Sequence, residues 1–236
     1  MDIIHYVIGD IHGQAEKLGT LLDMIKARHG WKFPDKTARL IYLGDYIDRG
    51  QKSAEVIDLI MKPMNGFETV CLKGNHEAMM LDAIMSDDYS RWRNWMSAGG
   101  EPTLKSFGYD LLLEKFNTDK LIKVVGKTRL DWLSGLKLSY QYADFLCVHA
   151  GLMPDVKIKD QVEKDMLWIR RRFLESDYDF GFGIIHGHTP ETRPVVKRNR
   201  IGIDTGAGMG GELTALVVDR PWLKLIKSPV FLSAYS

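Results

Sequence analysis

Cysteine is scarce in this chain: two in 236 residues, Cys71 and Cys147, each inside an apolar run. Two thiols so placed cannot staple a disulfide scaffold, and they read as buried thiols in a reducing compartment. Charge bias is missing too. Thirty-two Lys and Arg against 31 Asp and Glu leave +1, which excludes bulk electrostatic attraction to nucleic acid or a membrane surface as the basis of function. No apolar run approaches the roughly 18 residues that a membrane span needs. The start, MDIIHYVIGD, has an acid at position 2 and no room for a signal peptide. A cytoplasmic protein with no nucleic-acid or membrane partner is expected. Repeats, low-complexity tracts and Pro/Gly/Ser linkers are also absent. What remains is 45% hydrophobic and 27% charged, ordinary for a soluble protein and long enough for one large domain over 1–236.

Apolar runs alternate with helical periodicity. IIHYVI reads as a strand, and Leu18, Leu21, Leu22 and Ile25 recur at helical spacing after it, with Gly30 as the stop signal. RLIYL is a second strand and SAEVIDLIMK a second helix, with Ser53 as its N-cap and Pro63 beyond its end. ETVCL leads into a helix through EAMMLDAIM. This alternation predicts βαβ units in an α/β architecture. Residues 86–138 differ: they are helical, charged and Trp-rich, and are expected to form a helical insertion that packs rather than caps a substrate. YADFLCVHAG, FGIIHGHTP, RIGIDTGAG and LTALVVD then return to strands.

Ligands of α/β sheets bind beyond the carboxyl ends of strands, where loops converge. Five such ends here carry metal-ligand or phosphate-ligand residue types: Asp10 and His12; Asp45, Asp48 and Arg49; Asn75 and His76; His149; His186 and His188. Gly9, Gly44, Gly74 and Gly187 are expected to let the backbone turn there. Asp10, His12, Asp45, Asn75, His149 and His188 form a mixed oxygen and nitrogen set. Such a set suits Mn, Fe or Zn better than Ca or Mg, and lacks the thiolates of a structural zinc site. Six ligands exceed one tetrahedral ion. Two ions bridged by Asp45 fit better, with Asp10 and His12 on one and Asn75, His149 and His188 on the other. His5, inside a strand, and His29, at a helix end, read as structural.

The motifs GDIHG, GDYIDRG and GNHE, followed by HAGL and HGHT, resemble the signature of PPP-type serine/threonine protein phosphatases within the calcineurin-like metallophosphatases. KGNHEAMM, LWIRRRF and HGHTP place the resemblance nearest the small bacterial and phage members, from about Val7 to Asp219. It implies a β-sandwich flanked by helices, and removal of phosphate from phosphoserine and phosphothreonine in proteins, with phosphotyrosine as a further substrate, by direct attack of a hydroxide bound to two metals. Mn²⁺ is the expected ion. The resemblance makes His76 the general acid, held by Asp48, and gives phosphate binding to Arg49, Arg170 and Asn75. Arg171 and Arg172 stay open beside Arg170, and His186 stays open as a metal ligand. Lys73 stands where many members have Arg, and Glu77 is expected only to begin a helix. DTGAG, Asp204–Gly208, receives no role.

Two rival functions follow. Symmetrical dinucleoside tetraphosphate hydrolases share the site type, but their pattern usually has Ala in place of the Asp of DRG and GNHD in place of GNHE. Asp48 and Glu77 therefore favour the phosphatase. A non-catalytic phosphoprotein-binding module would keep the fold without His76, Asp48 and Arg49, and this chain has all three.

Overall fold

The structure, a computed structural model, describes residues 2–86, 88–109, 111 and 116–235. The β-branched run Ile3–Ile8 forms β1, followed by α1 (Ala15–Lys32), β2 (Thr37–Tyr42), α2 (Ser53–Met61) and β3 (Phe67–Cys71). Five helices come next: α3 (Asn75–Ser86), α4 (Tyr89–Ser97), α5 (Glu101–Ser106), α6 (Thr118–Val125) and α7 (Lys127–Ser134). Then come β4 (Ser139–Tyr142), β5 (Phe145–Val148), α8 (Glu163–Trp168), α9 (Arg171–Leu174), β6 (Gly183–His186), β7 (Val195–Val196) and β8 (Arg200–Gly202). The chain closes with β9 (Leu213–Val218), α10 (Trp222–Leu225) and β10 (Val230–Ala234).

The strands make two five-stranded sheets, ordered β10-β9-β1-β2-β3 and β4-β5-β6-β8-β7. Parallel pairs run from the centre to one edge of the first sheet, β1-β2-β3, and fill the centre of the second, β5-β6-β8. Alternation along each strand sorts the side chains into layers. Val7, Ile41, Leu216 and Val218 meet Phe145, Cys147, Ile185 and Ile201 between the sheets. Ile4, Tyr6, Ile8, Leu40 and Tyr42 face outward into a cluster with Leu18, Leu21 and Ile25 of α1 and Val56, Ile57 and Ile60 of α2. Leu146, Val148 and Ile184 are covered by Met166 and Phe173. The expected sandwich with flanking helices is present. The carboxyl ends of β1, β2, β3, β5 and β6 open toward one rim, and the loops there carry the motif residues.

Local expectations are corrected at three places. Gly30 does not stop α1; the helix runs on to Lys32, and Pro34 behind Phe33 ends it. Ser53 is not an N-cap but the first helical residue after Lys52. Its Oγ instead accepts the Asp48 N–H at 3.2 Å. Cys71 is half-buried and free, on the helix side of its sheet, while Cys147 is buried and free between the sheets. The Trp-rich helices share the main outer cluster through Trp92, Trp95, Leu104, Leu121 and Leu133.

Candidate metal centre

The loops after the strands hold their side chains through uncommon backbone geometry. Among the described residues seven non-glycine ones have positive φ, and five of them are His12, Asp45, Asp48, Arg49 and His188. Such residues are strained, and a protein keeps them where surrounding contacts fix them for a task. The glycines contribute space more than turning. Gly74 and Gly187 have ordinary φ, but a Cβ on Gly74 would lie 2.1 Å from Asp45 Oδ1 and one on Gly187 would lie 2.0 Å from Asp10 Oδ1.

Two sets of potential ligand atoms gather, each within 4.8 Å: His12, Asp45 and His76, and Asp45, His149 and His188. Asp45 belongs to both. Asn75 Oδ1 lies 2.9 Å from His149 Nε2 and 2.9 Å from His188 Nδ1. Asp10 lies beside them, its carboxylate accepting the His188 N–H at 3.0 and 3.2 Å. His76 is in the first set, its ring 4.7 Å from that of His12.

The donor set fits divalent cations. His12 Nδ1 donates to the Ile47 carbonyl at 2.8 Å, so its Nε2 presents a lone pair, 3.5 Å from Asp45 Oδ2. His149 Nδ1 donates to the Leu43 carbonyl at 3.0 Å, and its Nε2 faces Asp45 Oδ1 at 3.5 Å. Acceptors aimed at acceptors need a cation between them, and a ring N–H fixed by a backbone carbonyl is how metal-ligating histidines are oriented. Burial favours the neutral ring, bringing the His12 and His188 pKa values down to about 3 and lowering that of His149. Asp45, though buried, is held well below the usual carboxylate range by the imidazoles around it, His149 first. Asp10 moves the other way, raised by burial and by the charges of Asp204 and Asp45.

His76 is braced differently. Its Nδ1 donates to Asp48 Oδ2 at 2.6 Å. Asp48 is fully buried and also accepts from Trp95 Nε1 at 3.0 Å and Thr103 Oγ1 at 2.8 Å. Burial works against imidazolium, yet the charges of Asp45 and Asp48 prevail and raise the His76 pKa above its ordinary value. Arg49 Nη2 stands 3.3 Å from His76 Nε2, and Arg170 Nε donates to His188 Nε2 at 3.1 Å. Arg171 instead pairs with Glu175 on the surface, and Arg172 is exposed. His186 joins neither ligand set. His5 packs against Tyr142 and Phe145, and His29 bonds the Tyr6 hydroxyl and the Lys36 carbonyl. Lys73 reaches Glu163 at 3.3 Å.

Four contributors were not foreseen from sequence. Glu77 is wholly buried, and its carboxylate accepts N–H groups from Gly74 at 2.8 Å, Asp45 at 2.9 Å and Tyr46 at 2.8 Å. It ties the GNHE turn to the GDYIDRG loop; only its position in a conspicuous motif hinted at this. Trp95 and Thr103, from α4 and α5, fasten Asp48, so the Trp-rich helices do more than pack. Asp204, of the unassigned DTGAG stretch, lies beside Asp10 and is raised to about 6, first by burial.

Similarity to known proteins agrees with this geometry. The calcineurin-like phosphoesterase profile matches residues 6–212. The chain is 29% identical over 229 residues to serine/threonine-protein phosphatase 2 of Escherichia coli, covering 89% of this chain and 90% of that one. It is 26% identical over 229 residues to an asymmetrical bis(5'-nucleosyl)-tetraphosphatase of Halalkalibacterium halodurans, covering 89% and 88%. A cold-active protein tyrosine phosphatase structure superposes with a TM-score of 0.62 at 18% identity, over 98% of this chain and 80% of that one, which speaks to the fold alone. With the ligand clusters of the strand ends falling inside the matched span, the chain belongs to the calcineurin-like phosphoesterases and is a hydrolase of that class.

Proposed function

We propose that this enzyme removes phosphate from phosphoserine and phosphothreonine in proteins, with phosphotyrosine as a further substrate, using two divalent ions, Mn²⁺ foremost. The observation that carries the reading is the buried Asp48–His76 pair at 2.6 Å. A monoester of serine leaves as a poor alkoxide that needs a proton, and an imidazole with raised pKa beside the ligand cluster is placed to give one. Asp10, His12 and Asp45 would hold one ion, and Asp45, Asn75, His149 and His188 the other. When bound, such ions lower the pKa of a water toward ~7 and draw charge from the phosphoryl oxygens. Arg49 and Arg170, at the mouth, orient the phosphate through charge-assisted hydrogen bonds. Asp48 keeps the His76 Nδ1–H pointed inward and leaves Nε2 to carry the transferred proton.

Dinucleoside tetraphosphate hydrolysis is the second reading, favoured by a relative of that name at nearly the same identity and coverage. Among the described residues no helix is long and apolar enough to cross a membrane. We take phosphoproteins in the cytoplasm as the partners. The deciding measurement is kcat/KM for a phosphoserine peptide against diadenosine tetraphosphate, on stripped protein reloaded with Mn²⁺. Preference for the peptide is expected; preference for the dinucleotide would transfer the assignment to the second reading.

A further inference from the structure

A polar cavity on the outer face of the second sheet is not used by the ligand cluster. β6 and β8 pair with Ile184 opposite Arg200 and His186 opposite Gly202. Side chains two apart share a face, so His186 and Arg200 both project away from the sandwich interior, which takes Ile185 and Ile201. They meet Phe173: the His186 ring stands edge-on to it at 5.1 Å, and the Arg200 guanidinium lies 5.9 Å from its centre. Beside them is a cavity of about 70 Å³, which Thr189 and Asp204 also line.

Three nitrogen atoms of these residues have no hydrogen-bond partner among the described residues: Nε2 of His186, and Nε and Nη1 of Arg200. The two residues are only 3% and 4% exposed. The hydrogen bond of Arg200 runs from Nη2 to the Leu174 carbonyl at 2.6 Å. It forms no direct ion pair among the described residues, and the carboxylates of Asp177 and Glu191 act on it only from farther off. A guanidinium keeps its charge at any ordinary pH, and proteins seldom bury one without a counter-charge and matched N–H groups. His186 Nδ1 donates to the Gly187 carbonyl at 3.1 Å, which makes Nε2 an acceptor. Asp204 is turned aside, with Oδ1 on the Gly206 N–H at 3.0 Å. Glu191 stands exposed at the rim.

The two residues that border the cavity thus hold between them a fixed positive charge, two unpaired N–H donors and one nitrogen acceptor. A small oxyanion that retains one proton satisfies all of them, with acceptor oxygens toward Arg200 and an O–H toward His186 Nε2. Orthophosphate and bicarbonate have that form at neutral pH. Sulfate does not, and would set a lone pair against Nε2. The volume exceeds the ~10–15 Å³ that one water requires. We propose that this cavity binds a protonated oxyanion, orthophosphate or bicarbonate, between Arg200 and His186.

The test measures the rise in melting temperature given by phosphate, bicarbonate and sulfate, on protein holding stoichiometric metal with no free excess. An Arg49→Ala/Arg170→Ala background weakens phosphate contact at the metal centre. In it, phosphate or bicarbonate is expected to raise the melting temperature, and the stronger of the two identifies the ligand. Adding Arg200→Met or His186→Phe is expected to weaken the apparent affinity by ~10-fold or more, the effect of losing one charge-assisted hydrogen bond. Sulfate should bind at least ~10-fold more weakly than the preferred anion. If Arg200→Met does not fold, His186→Phe and the sulfate comparison carry the test. Increments unchanged by His186→Phe, or sulfate equal to phosphate, would overturn the proposal. So would crystals grown from phosphate and bicarbonate that show only water in the cavity.

Discussion

Asp10, Asp45, Asp48 and Glu77 are buried carboxylates of this centre, and they fall into two kinds. Asp48 and Glu77 are matched by the protein itself: Trp95, Thr103 and His76 donate to one, and the Gly74, Asp45 and Tyr46 amides to the other. Asp45 and Asp10 each accept a single backbone N–H, from His76 and from His188. Asp45 faces imidazole lone pairs, and Asp10 shares its surroundings with Asp204. The lesson concerns where the protein leaves negative potential uncompensated. A fully bonded carboxylate positions neighbours; one aimed at other acceptors calls for a cation. Both kinds are equally buried, so burial alone does not distinguish them.

Substitution should separate the two kinds most sharply at Asp45. Asp45→Asn removes the charge shared by both ligand sets, and kcat/KM is expected to fall by ~10⁴ or more, since bound cations supply several kcal/mol of charge stabilisation. Metal content by atomic absorption should fall with it; retention of two ions per chain would contradict the bridging role. His76→Asn should lower kcat by ~10²–10⁴ with metal content intact, as for loss of a general acid. Turnover like that of the unmodified enzyme would remove His76 from the mechanism.

Glu77→Gln tests the other kind. The amide keeps one acceptor and turns an NH₂ toward backbone N–H groups that a carboxylate now satisfies. We expect a loss of about 2–3 kcal/mol in stability, and a melting temperature lower by about 5–10 °C. Metal affinity should change less than stability. An unaltered melting temperature would show that the loops hold together without this carboxylate.

Much of the ligand set was readable because each part is local: an apolar run, a glycine, then a polar residue. GDIHG, GDYIDRG and GNHE are contiguous, so their chemistry survives in one dimension. The supports are not contiguous. Trp95 and Thr103 lie 47 and 55 residues from Asp48, and nothing in a Trp-rich helical stretch marks which indole faces a carboxylate. Gly74 and Gly187 were read as turn formers, but they provide clearance for Asp45 and Asp10, a property visible only when two loops meet. The strained φ values fall on His12, Asp45 and Asp48, residue types that give no local sign of it. Periodicity showed βαβ units, whereas the second sheet depends on pairing among short strands such as Val195–Val196 and was expected only through the family resemblance.

The smallest expected effect is also the most discriminating, because two substitutions around Asp48 should move one titration in opposite directions. His76 must be protonated to act as an acid, so activity is lost as pH rises through its pKa. Asp48→Asn removes a negative charge that favours imidazolium; the pKa falls and the alkaline limb of kcat moves to lower pH. Trp95→Phe leaves the charge but removes one of its N–H donors. With less of its negative charge drawn off by a donor, Asp48 favours imidazolium more strongly, and the alkaline limb moves to higher pH. The cost in kcat should be roughly 3–10-fold, in keeping with one hydrogen bond to a charged group. Limbs displaced in the same direction in both variants would mean that Trp95 acts by packing. Opposite displacements would assign the Trp-rich helices a share in setting the proton affinity of His76, the proposed acid.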